Sequence, residues 1–424
     1  MKFKVSKSTL KGDILVPPSK SHTIRAAVIA GLAKGESVIT SPLNSADTQA
    51  CLDALKMLGA EVSQEEKSWK IKGFGGFPLI PEAPVDIRNS GTSLSFLTSV
   101  AALGGGEIEL TGDESIRKRP IQPLLKALMN LGALKAESKE GNGCAPVVVQ
   151  GRLAGGTTEV EGSTSQFISS LLIAAPLLRK SSDIKVTRLN ERPYMDMTLY
   201  WLKKLGIEIQ KRGPNRFFIP ANQAYYSFAT AIPSDFSSAT FPLVAALMTE
   251  GSEAVLKGLD MSDPQGDKQL LDILKEMGGS VEKEADGVRV KASKLEGMEI
   301  DLNAMPDALP AMAVLGCVAE GETHLVNVPQ ARIKETDRIK VMAEELKKMG
   351  ARIEEKPDGL IIQEGKLTGA QVNGHGDHRV VMALALAGLI AEGETEIDTA
   401  ESVSVTYPGF QESFAALGAQ ISAL

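Results

Sequence analysis

The chain is short of cysteine, of net positive charge and of long apolar runs. It carries three cysteines in 424 residues, Cys51, Cys144 and Cys317. Their number is odd and their spacing wide. They suit neither a disulfide framework nor a zinc site, and a reducing compartment is expected. Lys and Arg total 46 against 53 Asp and Glu, a net charge of −7. That balance argues against a nucleic-acid coat, while leaving room for a local basic cleft. No stretch reaches the roughly 18–20 apolar residues that span a bilayer. The run 380–391 stops at Glu392, and 162–178 contains several Ser and Gln. Both read as buried helices, so no membrane partner is expected. The opening MKFKVSK has no apolar segment behind it, which predicts no secretory signal and a cytoplasmic location. What remains, 43% hydrophobic and 23% charged, is an ordinary globular composition with enough length for two to four domains.

What is abundant is internal repetition. A helix tail ending in Leu, Met or Phe-Ala-Ala-Leu and then Gly recurs as LKMLG, LMNLG, LKKLG, LKEMG, LKKMG and FAALG. The glycines are Gly59, Gly132, Gly206, Gly278, Gly350 and Gly418, a period near 70. Glycine suits a helix end because it enters the left-handed conformation cheaply. A second series interleaves with the first: Ala-rich apolar segments run into a turn and a strand at AKGESVI, GGGEIEL, RKSSDIKV, TEGSEAVL, AEGETHL and AEGETEI. Twelve helices therefore alternate with short strands in an α/β chain. The first-series helices are amphipathic and the second-series helices apolar nearly all round, so the second set should lie inside, under sheets. The sixth copy is truncated after Gly418, and the stretch 2–16 is expected to supply its missing strand. The copies divide three and three, giving lobes at 17–232 and at 233–424 with 1–16.

The apolar helices begin at polar sites: PPSKSHTIR (17–25), RNSGTS (88–93), EGSTSQF (161–167), PSDFSSAT (233–240), MPDALP (305–310) and GHGDHR (374–379). Capping alone accounts for Ser, Thr, Asp and Asn at such sites. It does not account for Lys20, Arg25, His378 or Arg379. Helix starts attract anions, and added Lys or Arg makes a phosphate or carboxylate site. The amphipathic series adds RKRP (117–120) and KETDR (334–338). Asp307 and Glu335 lie beside these starts and could transfer protons. Together they predict an inter-lobe cleft for small, multiply anionic substrates.

In order and spacing, PPSKSHTIRA (17–26), NSGTS (89–93), RPIQPLL (119–125), STSQF (163–167), RPYMDMT (192–198), PDALP (306–310), RIKETDRI (332–339) and GDHRVVMA (376–383) resemble the enolpyruvyl transferase family over the whole chain. The resemblance implies two inside-out α/β barrel lobes, each of three βαβαββ units with buried apolar helices. It implies transfer of the enolpyruvyl group of phosphoenolpyruvate to the 5-hydroxyl of shikimate 3-phosphate, with release of phosphate, on the route to chorismate and aromatic amino acids. By the same resemblance, Lys20 touches both substrates and belongs with the catalytic pair. Ser21, Arg25, Thr164, Ser165, Gln166, Tyr194, Asp307, Gln330 and Lys334 hold shikimate 3-phosphate. Gly91, Arg119, Gln166, Arg338, His378 and Arg379 hold phosphoenolpyruvate. Asp307 accepts the proton of the attacking hydroxyl, and Glu335 protonates the methylene carbon. No metal or other cofactor is required by this route, and a monomer is expected.

Three departures from the family pattern stand out. Ser95 lies where Arg is common, Val405 where Lys is common, and Gln330 where Asn is common. His22, beside Lys20, is also unusual and reads as a surface residue. Two relatives and one other class compete. The sister enzyme acting on UDP-N-acetylglucosamine often carries Cys in the loop matching 113–119, where this chain has DESIRKR. RNA 3′-phosphate cyclase needs a nucleophilic His and is disfavoured by the acidic net charge. A repeat-built binding scaffold would explain the periodicity but not Asp307, Glu335 and the cations at helix starts.

Overall fold

The computed structural model describes residues 1–424. The chain gathers into two compact units, one of Lys20–Ile232 and one of Met1–Ser19 with Pro233–Leu424. The first of these begins three residues later than the Pro17 read from the sequence.

Each unit holds six helices. In Lys20–Ile232 they are α1 (Lys20–Leu32), α2 (Ala46–Met57), α3 (Gly91–Ala101), α4 (Gln122–Asn130), α5 (Ser165–Ala174) and α6 (Arg192–Lys204). In the other unit they are α7 (Phe236–Met248), α8 (Leu270–Glu276), α9 (Leu309–Gly316), α10 (Arg338–Lys348), α11 (His378–Ile390) and α12 (Phe410–Ala416). Odd-numbered helices are the apolar set, and they are buried as expected. Of its 13 residues α7 buries all but Met248, whereas the amphipathic α6, of equal length, buries only Met195, Met197, Thr198, Trp201 and Leu202. A helix with no polar face must be covered on every side. The glycine that ends each even-numbered helix has φ between 77° and 103°, the left-handed cap that the sixfold spacing predicts.

The strands form six four-stranded sheets, three to a unit. Each sheet has one parallel pair and two antiparallel pairs. In the second sheet, Val85–Asp86 runs parallel to Glu107–Thr111, which is antiparallel to Val147–Gln150, itself antiparallel to Lys135–Ser138. Three sheets borrow strands from afar. Ala229–Ala231 closes the first sheet beside Glu36–Thr40. In the sixth, Phe3–Ser6 lies between Glu394–Ile397 and Gln420–Ala423, filling the gap left by the truncated copy. The neighbouring Lys11–Leu15 pairs with Glu253–Lys257 in the fourth.

Each unit has its own hydrophobic core, built from the odd helices and the inner faces of the sheets. No helix is long and apolar enough to cross a membrane. This architecture leaves the starts of the odd helices, and the turns before the even ones, as the places where polar side chains collect.

Candidate functional site

In the Lys20–Ile232 unit, Lys20 opens α1 and its Nζ lies 2.9 Å from the Asp47 carboxylate, which is 3% exposed. One helical turn and a residue later comes Arg25, 2% exposed. Its Nε donates to Thr198 Oγ1 (2.8 Å), Nη1 to the Ser21 carbonyl (3.0 Å) and Nη2 to the Tyr194 carbonyl (2.8 Å). The guanidinium also lies 5.2 Å from the Phe96 ring centre. All these partners are neutral. Burial accordingly pulls the Arg25 pKa down to about 10. A buried cation answered only by neutral acceptors is costly unless an anion joins it.

Gly91 is the first residue of α3. A Cβ built there would sit 2.7 Å from Arg119 Nη1, so glycine is what allows this guanidinium to lie over the helix start. Arg119 Nη2 also donates to Asn89 Oδ1 (3.1 Å) and Ser115 Oγ (3.3 Å). Gln166, near the start of α5, has both ends of its amide fixed. Its Nε2 donates to Thr92 Oγ1 and its Oε1 accepts from Ser95 Oγ, each at 3.2 Å. Ser95 thus brings no charge but orients a predicted binding residue. Thr164 caps α5, accepting from the Gln166 amide (3.4 Å). The Thr164 and Ser165 hydroxyls in turn donate to Glu191, at 3.0 and 2.9 Å.

His22 is the one clear reversal of the sequence reading. It is not a surface residue: it is 1% exposed, and its Nδ1 accepts from Trp201 Nε1 at 2.9 Å. The bond ties the first turn of α1 to α6, which also carries Tyr194 and Thr198.

In the other unit the cations are held by acids. Arg338 opens α10 and its side chain is 1% exposed. Its Nε and Nη2 grip the two oxygens of Asp377 (2.7 and 3.1 Å). Nη1 reaches Asp307 Oδ1 (2.8 Å), and Nη2 also reaches Glu335 Oε2 (2.6 Å). Burial alone would lower the Arg338 pKa; the three carboxylates outweigh it and keep the group charged. Burial would likewise raise Asp377, yet Arg338 holds it below the ordinary carboxylate range. Arg379 donates from Nη2 to Asp307 Oδ2 (3.0 Å) and from Nη1 to the Ser237 carbonyl (3.3 Å). Asp307 therefore spans two buried guanidiniums, with Glu335 on one of them. Of the remaining predicted residues here, Gln330 is buried and donates to the Asn303 carbonyl (3.0 Å), His378 is buried beside Asp377, and Lys334 is half-buried next to Glu335. Val405, half-buried, ends a turn of 3₁₀-helix at Ala400–Val405.

Three acids that matter to these clusters escape a reading by motif: Asp47, Glu191 and Asp377. Asp377 had the strongest signal, an Asp directly before His378 and Arg379 at a helix start, where it caps the Arg379 amide at 2.9 Å. No group of acidic, His or Cys side chains forms a metal-binding cluster.

The chain is similar to known proteins along its whole length. The sequence pattern of the EPSP synthase (3-phosphoshikimate 1-carboxyvinyltransferase) family matches residues 5–414. A protein of Acetivibrio thermocellus named 3-phosphoshikimate 1-carboxyvinyltransferase is 54% identical over 100% of this chain and 99% of its own. One of the same name from Methanococcoides burtonii is 47% identical over 99% of each. Among solved structures, an EPSP synthase from Acinetobacter baumannii superposes with a TM-score of 0.82 at 28% identity, covering 99% of both chains. The enolpyruvyl transferase NikO from Streptomyces tendae shares the fold with a TM-score of 0.81 at 18% identity. Likeness of sequence along the full length and likeness of fold lead to the same place, and the chain belongs to the EPSP synthase family.

Proposed function

We propose that the protein transfers the enolpyruvyl group of phosphoenolpyruvate to the 5-hydroxyl of shikimate 3-phosphate, releasing phosphate. The observation that carries this reading is Asp307 held between Arg338 and Arg379 with Glu335 on the same Arg338. An acid–base pair set among buried guanidiniums suits a reaction whose substrates bring phosphates and carboxylates.

Phosphoenolpyruvate is taken by Lys20, Gly91, Arg119, Gln166, Arg338, His378 and Arg379. Shikimate 3-phosphate is taken by Lys20, Ser21, Arg25, Thr164, Ser165, Gln166, Tyr194, Asp307, Gln330 and Lys334. Arg25, which donates to a hydroxyl and two backbone carbonyls, is suited to a substrate carboxylate. Glu335 protonates the methylene carbon, which makes the adjacent carbon electrophilic. Asp307 accepts the proton of the attacking hydroxyl. The resulting tetrahedral intermediate expels phosphate, and the arginines stabilise charge on the departing group. The protein acts in the cytoplasm as a monomer without nucleic-acid or membrane partners, a reading supported by its three unpaired cysteines and its net charge of −7.

The test is phosphate release by purified protein given shikimate 3-phosphate and phosphoenolpyruvate. Release only when UDP-N-acetylglucosamine replaces shikimate 3-phosphate would move the chain to the sister activity.

A further inference from the structure

In five of the six repeat copies a residue one or two places beyond the second strand has positive φ: Ser41 (50°), Glu191 (55°), Gly258 (85°), Asn327 (56°) and Thr399 (52°). The turn into the next loop requires it. Glycine and asparagine accept that backbone readily, and long side chains do so poorly. Four of the five residues are small. Glu191 alone is long and alone is charged, and of the other four only the β-branched Thr399 suits this backbone as poorly. Strain of this kind points to a role.

Its contacts indicate which. Glu191 is 2% exposed, and one oxygen of its carboxylate, Oε2, takes three hydrogens at the start of α5. The donors are Thr164 Oγ1 (3.0 Å), Ser165 Oγ (2.9 Å) and the Ser165 amide (3.2 Å). Two hydroxyls and a backbone N–H converging at a helix start are the donors a phosphate group uses. Thr164 and Ser165 are the residues assigned above to shikimate 3-phosphate, and the inference rests on that assignment.

We propose that Glu191 is a built-in competing anion. Without substrate, its carboxylate satisfies the start of α5. The phosphate of shikimate 3-phosphate needs the same hydrogens, and two anions cannot share them without strong repulsion. The carboxylate must leave for the substrate to bind. Glu191 therefore sets the affinity for shikimate 3-phosphate without taking part in the chemical step. A residue that served only as a structural cap would behave in the opposite way: its loss would weaken both the fold and binding.

Glu191→Asn separates the two, because Asn fits the left-handed turn and carries no charge. Calorimetry should show shikimate 3-phosphate binding about 10-fold tighter than to wild type, the equivalent of about 1.4 kcal/mol. Shikimate, which lacks the phosphate, should bind unchanged; kcat should stay within about 2-fold and Tm should not fall. Glu191→Gln keeps an acceptor of the same length and should give a smaller gain. Unchanged or weaker shikimate 3-phosphate binding in both variants overturns the proposal, as does an equal gain for shikimate. Should wild type release no phosphate from the substrate pair, the proposed function falls. Inorganic phosphate then decides the role of Glu191: tighter binding to Glu191→Asn than to wild type supports it, and equal binding refutes it.

Discussion

The two units are built alike, three sheets and six helices each, yet they hold their buried arginines in opposite ways. Arg25 is surrounded by a hydroxyl, two carbonyls and a phenyl ring. Arg338 is surrounded by Asp307, Glu335 and Asp377. The first cation meets no carboxylate among these partners, and the proposed function brings one with the substrate. The second is already matched by acids, and two of those acids are the proposed proton carriers. The same backbone repeat thus carries a buried arginine among neutral acceptors in one unit and among carboxylates in the other, and the difference lies in a few side chains at helix starts.

The strongest way to break this comparison is to remove the acid. Asp307→Ala should lower kcat by about 10²–10⁴-fold while changing shikimate 3-phosphate affinity far less. Equal losses in titration calorimetry and steady-state kinetics would make Asp307 a binding residue only. Next come the arginines themselves. Arg338→Met removes a cation shared by three carboxylates, of which Asp307 keeps Arg379, and should cost roughly 3–5 kcal/mol in denaturant unfolding. Arg25→Met removes a cation that burial already penalises; it should cost clearly less stability while abolishing tight shikimate 3-phosphate binding. Equal losses of stability in the two variants would overturn the contrast between the two arginines.

Acid provides a third test. The Asp377 pKa is depressed in the folded protein, so its contribution is present above the unfolded value near 3.8 and is lost as pH falls through the folded one. Glu345, also depressed, adds to the same trend from its unfolded value near 4.5 downward. Wild-type stability should fall as pH drops below about 4.5, and Asp377→Asn, less stable at neutral pH, should show a shallower fall. The smallest effect belongs to Trp201→Phe. It deletes the donor to His22 and should cost about 1 kcal/mol, with a modest rise in KM for shikimate 3-phosphate if α1 loses its anchor to α6.

The sixfold plan was legible because it is written locally. A glycine at the end of every even-numbered helix and an all-apolar surface on every odd one both act within a dozen residues. The candidate cations could be picked out too, since Lys20, Arg25, Arg338 and Arg379 sit at helix starts where capping alone does not call for charge. What was not legible depends on partners far along the chain. Trp201 lies 179 residues from His22, and nothing near His22 announces that its ring will be buried. Asp377 meets Arg338 across 39 residues. Glu191 sits 26 residues from Ser165 on a turn whose handedness appears only in the backbone.

The placement of Phe3–Ser6 between Glu394–Ile397 and Gln420–Ala423 has a consequence in time. During synthesis, the Lys20–Ile232 unit has every strand of its three sheets once residue 232 has emerged. The strand at 3–6 has no ladder to enter until the far end of the chain exists. At about 5–20 residues per second, that wait lasts on the order of 20–80 s. Throughout it, a segment with Phe3 and Val5 on one face is an unpaired strand in the open. The lysines at positions 2, 4 and 7 keep such an edge from pairing with the wrong partner.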